Sequence, residues 1–553
     1  MCGIYSILNR TGEKIEFQGF QSEFEKIKHR GPDNSQLKGI DETVLFGFHR
    51  LRINGVDEIS DQPLYYKDVY LICNGEIYNK EELVKKYGFK METNSDCEVI
   101  LHLYKKFGIE RTVEELDGEY SFCLYDKGDS CFYIARDHIG IRPLFVGKND
   151  GDKTIGFASE AKALIGSFKK VNQFPPGCYA YYELRDDLKD TLVRWYDYDT
   201  MDLISNGISG EIYQTYTREQ ILAEVKYRFI KSVNDRTYLS DRLVGCFLSG
   251  GLDSSLVTAI MARKDKNIPC FTIGLKGSLD LIAAEKVAKF LRLTNHHVVV
   301  VTVEEAIAAI PHVIKSLESY DITTIRASTF QWLLSKYIKE NTEVTVLQSG
   351  EVPDESVPGY WAFAFCKSDD EFTRMSRDMI EELHEYDLLR TDRTTANFGL
   401  EVRVPFADKK LMKMFHNVPI EFRKFDANKI EKSLLRDAFR EGEWLPKGIL
   451  NRKKHAFSDA INAKDFCFYD EVEKFADSVI SKEEWDKRVE LYPDSTPVSK
   501  ESFYYRKIFE SHYPGRSDLI RGYWMPKVKD ENGELILDPS ATALPGHKID
   551  TEF

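Results

Sequence analysis

Residues 243–255 read Leu-Val-Gly-Cys-Phe-Leu-Ser-Gly-Gly-Leu-Asp-Ser-Ser: a short apolar run, a break at Ser249-Gly250-Gly251, then residues at helical spacing (Leu256, Val257, Ile260, Met261). A strand, a glycine-rich turn and a helix start aim backbone N–H groups and the positive end of a helix dipole at one point. That arrangement suits phosphate. Gly250 and Gly251 let the backbone approach an anion, and Ser249, Ser254 and Ser255 add hydroxyl donors. Asp253 in the same turn would repel phosphate unless a cation lies between them, so a carboxylate here implies Mg²⁺. The Gly-x-x-x-x-Gly-Lys-Ser/Thr form is absent, so this is not the usual ATPase phosphate loop.

Cys2 is the second candidate. Removal of the initiator Met would leave a free α-amine beside its thiol, with a pKa near ~8 that suits a local base for a nucleophile. If Met1 stays, that base is lost. Taken alone, Cys2 reads as an incidental second-position cysteine.

The elements around these groups must come from more than one domain. At 553 residues the chain is too long for a single core. With 42% hydrophobic and 30% charged residues it has the composition of a soluble globular protein. A net charge of −14 argues against a nucleic-acid partner. No apolar run reaches membrane-spanning length, and the start MCGIYSILNR is no signal peptide. Ten cysteines without a Cys-x-x-Cys pair fit reduced thiols in a cytoplasmic setting.

The N-terminal part contains Cys2-Gly3-Ile4, His29-Arg30-Gly31-Pro32-Asp33, His49-Arg50-Leu51, Asn74-Gly75-Glu76-Ile77-Tyr78-Asn79 and Ser95-Asp96, in that order. Over roughly 200 residues it resembles the class II glutamine amidotransferase domain, an N-terminal-nucleophile glutaminase. The resemblance implies an αββα sandwich, and alternating runs fit its strands (Thr43–Arg50, Val69–Cys73, Phe122–Tyr125, Phe132–Ala135). It also implies roles. Cys2 attacks the glutamine amide. The Asn74 side chain and Gly75 N–H form the oxyanion hole. Arg50 clamps the substrate α-carboxylate, and Glu76 and Asp96 hold its ammonium. The products are glutamate and ammonia. Arg30 either supports this site or is structural. Arg136–Leu144 reads as scaffold, with Gly140 and Pro143 shaping a turn.

Polar, irregular sequence from Tyr196 to Ser209 puts a boundary near residue 210, giving domains 1–209 and 210–527 with a loose tail at 528–553. Thr217 and Gln220 form a capping box for a helix whose Ile221, Leu222, Val225, Phe229 and Val233 share a face. Strand candidates Leu243–Leu248, Cys270–Leu275, His297–Val303 and Val344–Leu347 alternate with helical segments Ala283–Leu291 and Glu304–Ser316. The fold class is therefore multidomain α/β: the αββα sandwich followed by a doubly wound parallel sheet with extra helices. Ligands belong beyond the carboxyl ends of the parallel strands, where Ser249, Gly274 and Ser349-Gly350-Glu351 fall.

The SGGLDSS string resembles the pyrophosphate loop of ATP enzymes that adenylate a substrate. The whole chain to about residue 525 is similar to the glutamine-hydrolysing asparagine synthetase family. The likeness includes Gly277-Ser278 with Asp280, Tyr320–Ser328, Glu401–Phe406, Lys454 with Phe457-Ser458-Asp459, and Tyr504-Tyr505-Arg506. Gly522–Lys527 looks like its eukaryotic branch. The resemblance implies that ATP adenylates the β-carboxylate of aspartate and that ammonia, tunnelled from the Cys2 site, attacks the mixed anhydride. Pyrophosphate is held by residues 248–255 (Leu248 included), Mg²⁺ on Asp253 and Asp354, and Lys454. Ser349, Gly350 and backbone near Ile273 hold adenosine, and Glu351 takes a proton from ammonia. Arg326 lines the aspartate site or tunnel, or pairs with a buried carboxylate. A homodimer is what the family suggests.

The chain departs from the family at Val352-Pro353, where Gly-Ser is usual, at Ala407, and at His455-Ala456. Valine resists a positive φ, at a cost of about 1–2 kcal/mol. Proline removes an N–H and pushes Val352 towards extended geometry. Asp354 is then expected to shift from its Mg²⁺, and the synthetase rate to be slowed or re-tuned. Alternative readings are a glutaminase or amidotransferase acting on another carboxylate, and a regulatory homologue that has lost ATP chemistry. β-Lactam-forming relatives share the synthetase fold but resemble the chain less where it keeps Cys2.

Overall fold

Alternation in one strand builds the first layer of the molecule. Val44, Phe46 and Phe48 turn into a buried core. Gly47 and His49 face the other way, where the Phe24 ring stacks on His49 with centroids 3.7 Å apart. A Cβ on Gly47 would come within 2.8 Å of that Phe24 ring, so glycine lets the helix lie close to the sheet. In this computed structural model, which describes residues 1–10, 15–151, 153–184, 190–204, 210–425, 429–454 and 467–525, the chain divides into two units. The first comprises Met1–Gly210, Asp235–Leu243 and Thr395–Arg403, and the second holds the other described residues. His455-Ala456, Phe457–Asp459, Pro526-Lys527 and the tail at 528–553 lie outside the described residues.

The first unit has twelve main strands: β1 (Gly3–Asn9), β2 (Asn34–Gly39), β3 (Val44–Arg50), β4 (Leu64–Tyr66), β5 (Val69–Ile77), β6 (Gly118–Asp126), β7 (Cys131–Arg136), β8 (Phe145–Lys148), β9 (Thr154–Ala158), β10 (Lys170–Gln173), β11 (Cys178–Glu183) and β12 (Asp190–Arg194). They form two six-stranded sheets, ordered β10-β8-β9-β1-β3-β2 and β12-β11-β7-β6-β5-β4. Ile4, Leu8, Phe46 and Phe157 from one sheet meet Ile72, Cys123, Phe132 and Ile134 from the other in a shared core. Helix Gln21–Glu25 covers the first sheet through Phe24. Helix Glu98–Glu115 covers the second, setting His102 against Tyr66 and Tyr104 against Tyr133. This is the expected αββα sandwich. Arg136–Leu144 is scaffold: Asp137 accepts the N–H groups of Ile141 and Arg142 at 2.9 Å each, and Gly140 takes φ +74°.

In the second unit, Thr217 and Gln220 bond each other reciprocally (2.9 and 3.3 Å) and cap helix Arg218–Tyr238. Its Ile221, Val225, Phe229 and Val233 are fully buried, and Phe229 stacks on Phe406. The parallel strands are β13 (Val244–Phe247), β14 (Cys270–Leu275), β15 (His296–Val301) and β16 (Val346–Gln348). They lie in the order β15-β14-β13-β16. The chain therefore moves outward from β13 to β15, then returns to the other side of β13. Right-handed crossovers in opposite directions put connecting helices on opposite faces, and the order reverses between β13 and β16. That reversal opens a crevice beyond the two strand ends, directly after Phe247 and Gln348. Among the described residues no helix is long and apolar enough to cross a membrane.

Candidate active sites

Cys2 directly precedes β1, and its Sγ lies 3.6 Å from Leu51 O and 3.4 Å from Leu51 N. Arg30 is fully buried, pairs with Glu160 at 2.7 Å, and donates through Nε to Cys2 O at 2.9 Å. Its task is thus to hold the backbone of the cysteine. Met1 is in place, and its amine donates to Leu400 O at 3.2 Å. Burial lowers that amine to about 6 and pushes the Cys2 thiol up to about 11. In this form Cys2 carries no α-amine.

Asn74 sits in β5 with its amide oxygen and nitrogen both buried and without a hydrogen-bond partner. An unpartnered buried amide costs free energy, and a developing oxyanion would satisfy its N–H. Gly75 has a packing reason as well: a Cβ there would fall 2.4 Å from Glu119 O on β6. Asp96 accepts the Ile77 N–H at 2.6 Å. Burial raises the carboxyls of Asp96 and Glu76, and Glu401 and Asp96 push Glu76 further up.

Arg50 is expected to clamp a carboxylate, but its fork is engaged within its own unit. Nη1 donates to Asp57 O at 2.9 Å and pairs with Asp61, while Nη2 donates to Asn54 O at 3.2 Å and to Gly55 O. Arg403, from the Glu401–Phe406 string, is a residue whose part here the sequence reading missed. Wholly buried, it pairs with Glu76 at 3.0 Å and donates through Nε to Glu401 at 2.8 Å. Arg403 and Arg142 hold the Glu401 carboxyl below its ordinary range against the opposing effect of burial.

In the second unit one pocket gathers at the ends of β13, β14 and β16. It is concave and mixes apolar walls with convergent charged and hydroxyl groups, the character of a small-molecule site. Leu248, Ser249, Gly251, Asp253, Ser254, Ile273, Ser349, Gly350, Glu351, Asp354 and Lys454 all line it. Gly250 and Ser255 are not part of that lining. Gly250 has φ +77°, and a Cβ there would strike Ala284 N at 2.5 Å, so glycine serves packing on the next helix. Ser255 is fully buried in helix Leu252–Ala262. Arg452 braces the loop, donating to Gly250 O at 3.0 Å and to Asp280 at 2.9 Å.

Two further charged residues complete the pocket without any sequence signal. Arg390 donates to Glu351 Oε2 and Gln331 Oε1 at 2.9 Å each and to Asp387 at 2.8 Å. Burial raises the Glu351 carboxyl, with Arg390 opposing. Lys432 lies 2.7 Å from Asp253 Oδ2 and 2.6 Å from Asp354 Oδ1. Lys454 lies 2.7 Å from Asp354 Oδ2. Burial would raise the Asp354 carboxyl, but Lys432 and Lys454 bring it down to about 2. Arg326 makes a two-bond pair with the buried carboxylate of Glu501 at 2.8 and 2.5 Å.

The 352–353 change has an unexpected geometry. Val352 is not extended but left-handed, φ +85° and ψ −26°, with its side chain buried. Its carbonyl accepts from the Ser356 hydroxyl at 3.2 Å and from the N–H groups of Glu355 and Ser356 at 3.4 Å each. Pro353 takes the first position of the short helix Pro353–Ser356, where its missing N–H costs nothing. The demand of that helix start overrides the local preference of Val-Pro for extended backbone. Nor is Asp354 turned away, since it lines the pocket beside both lysines.

The donor set suits Mg²⁺. Asp253 Oδ1 is buried and accepts no hydrogen bond, and Asp354 stands on the far side of the shared Lys432. Among the described residues no group of three or more His, Cys, Asp or Glu gathers to hold a metal. Mg²⁺ characteristically takes one or two carboxylates and completes its shell with phosphate and water.

The profile of the glutamine amidotransferase domain matches residues 1–182, and that of asparagine synthase matches residues 224–368 and 364–532. A probable glutamine-hydrolysing asparagine synthetase of Acanthamoeba polyphaga mimivirus is 39% identical over 99% of this chain and 100% of its own. The glutamine-hydrolysing asparagine synthetases of Gallus gallus and Cricetulus griseus are 40% and 38% identical, each over 99% of both chains.

Proposed function

The chain belongs to the asparagine synthetase family, and from that premise we propose that it amidates L-aspartate to L-asparagine with ammonia released from glutamine, at the expense of ATP. In the first unit removal of Met1 frees the Cys2 α-amine to serve as local base, Cys2 attacks the glutamine amide carbon, and Asn74 with the Gly75 N–H receives the developing oxyanion. Glu76 and Asp96 hold the substrate ammonium. Arg50 meets the substrate carboxylate by exchanging acceptors with the 54–61 segment, so glutamine entry and the arrangement of that segment are linked. Ammonia departs as a γ-glutamyl thioester forms on Cys2. Water then cleaves that thioester to release glutamate and restore the thiol. The ammonia is retained for the second site, because the ammonium ion formed in bulk water is no nucleophile.

In the second unit the aspartate β-carboxylate attacks the α-phosphorus of ATP. The P–O bond to pyrophosphate breaks, leaving β-aspartyl-AMP. Ser249, Gly251 and Ser254 supply donors to the pyrophosphate, and Lys454 supplies positive charge. Asp253 and Asp354 are the residues to hold Mg²⁺, whose contribution is to neutralise phosphate charge. Ser349, Gly350 and Ile273 hold the adenosine. Ammonia then attacks the mixed anhydride, Glu351 accepts the proton, and AMP departs with the carbonyl restored. A cytoplasmic setting and a homodimer complete the proposal, resting on composition and on the family respectively.

One observation carries this reading: Ser249, Gly251, Asp253, Ser254, Glu351, Asp354 and Lys454, far apart in sequence, line a single pocket at the reversal of strand order. The test is aspartate-dependent exchange of labelled pyrophosphate into ATP without any nitrogen donor. Exchange that requires aspartate supports adenylation of that acid, and exchange driven equally by another carboxylate overturns the choice of substrate.

A further inference from the structure

The two carboxylates suited to the metal are already bridged. Lys432 Nζ sits 2.7 Å from Asp253 and 2.6 Å from Asp354, and its side chain is 1% exposed. The place is built for it. A Cβ on Gly359 would come within 2.3 Å of Lys432 Cε and 2.0 Å of Asp354 Oδ1, so any other residue at 359 would break the cradle. Lys432 itself holds a left-handed backbone, φ +55°, at the position before helix Ser433–Ala438. Lys454, the other cation on Asp354, is 28% exposed and open to the pocket. Both lysines line the pocket, and they differ in exposure: Lys454 is open to the ligand space, while Lys432 is almost wholly covered between the two acids.

Asp253 and Asp354 with Lys432 and Lys454 sum to zero charge, so this cluster offers no net negative charge to a free divalent cation. Two buried carboxylates without a counter-ion would repel each other, and such a pair is stable only with a cation between them. With Lys432 in that role, Asp253 keeps just one unengaged oxygen, Oδ1. A single carboxylate oxygen is a poor site by itself, and it becomes adequate when phosphate oxygens supply the remaining ligands.

We infer that Lys432 is a positioning residue that stands in for the metal between Asp253 and Asp354, and so makes metal entry depend on nucleotide. The ammonium keeps the acids gathered while the pocket is empty, and it prevents them from closing on a free cation. Asp253 and Asp354 would then hold the metal only together with ATP, whose phosphate oxygens would supply the other ligands. This rests on the reading of Asp253 and Asp354 as the metal-holding pair.

The experiment measures binding rather than turnover. Full-length protein is titrated with Mn²⁺, first without nucleotide and then with ATP. Free Mn²⁺ is followed by electron paramagnetic resonance, and the metal held by ATP alone, measured without protein, is subtracted. Wild type is expected to bind Mn²⁺ weakly alone and at least tenfold more tightly once ATP is added. Lys432→Met is expected to bind Mn²⁺ alone at least tenfold more tightly than wild type. Lys432→Met combined with Asp253→Asn should lose that gain, and Lys432→Arg should behave as wild type. A Lys432→Met protein with a wild-type thermal transition and no gain in Mn²⁺ affinity overturns the inference. So does wild type that binds Mn²⁺ equally well with and without ATP, a result that needs no variant to fold. Aspartate-dependent pyrophosphate exchange by wild type reports separately on the function, so either idea can fail alone.

Discussion

Arg390 Nη2 donates to Glu351 Oε2 at 2.9 Å, while Glu351 Oε1 accepts no hydrogen bond among the described residues. One oxygen is anchored and the other is open, which is how a carboxylate must be held to receive a proton from an incoming nucleophile. Glu351→Gln keeps the shape and removes the base. Amide formation with ammonium as nitrogen source should fall by about 10²–10⁴-fold, the usual worth of a general base. Pyrophosphate exchange should persist. Parallel loss of both activities would mean that Glu351 serves adenylation instead.

The same pair sets a pH dependence. Burial raises the Glu351 carboxyl and Arg390 opposes the rise. The base works when ionised, so synthesis is lost as pH falls through its pKa. Arg390→Met removes the opposing charge, lets that pKa climb, and should move the acid limb of the ammonia-dependent profile to higher pH. An unmoved limb with a uniformly reduced rate would give Arg390 a structural role alone.

Val352 carries strain that can be relieved. A β-branched residue at φ +85° is held there by its surroundings, at about 1–2 kcal/mol. Its side chain is buried, and losing that burial costs about 1.5–3 kcal/mol. Val352→Gly should therefore change unfolding stability by only about 1 kcal/mol, with the two effects offsetting. Adding Pro353→Ser restores an N–H and a hydroxyl beside the pocket, and the double variant should synthesise asparagine faster than wild type. No gain in rate would mean that the turn as it stands costs the reaction nothing.

Local signals in the chain were readable where chemistry and geometry coincide. Ser249–Ser255 announces a strand, a turn and a helix start in consecutive residues, and Thr217 with Gln220 announces a helix cap; both are found. The sandwich was legible because β3 and β5 alternate along their length. Lys432 and Arg390 were not legible, because they lie in helical or connecting segments with no motif and acquire meaning only when Asp253, Asp354 and Glu351 are brought to them. Arg403 lay inside a recognised string, but its pairing with Glu76 is a long-range charge contact that leaves no trace in local pattern. Arg326 shows the same limit from the other side: the sequence offered a buried carboxylate as its partner without naming which, and the fold supplies Glu501. At Val352 local preference pointed the wrong way, since the bonds accepted by its carbonyl outweigh the bias of a residue before proline.

Arg403 is the residue on which the glutaminase unit depends electrostatically. Removing it leaves Glu76 and Glu401 as buried acids without their closest cation. Arg403→Met should cost about 3–5 kcal/mol of stability, as expected for breaking a buried pair. It should also raise the KM for glutamine through Glu76. The denaturant midpoint and glutaminase kinetics measure the two effects. A stable variant with an unchanged KM would detach Arg403 from substrate binding.

The most direct measurement of the central claim is a single reaction containing aspartate, ATP, Mg²⁺ and glutamine labelled with ¹⁵N in its amide. Glutamate, pyrophosphate and asparagine are followed together. The account predicts near-equal amounts of all three, with the label in the asparagine amide. Glutamate formed without pyrophosphate or labelled asparagine would contradict it.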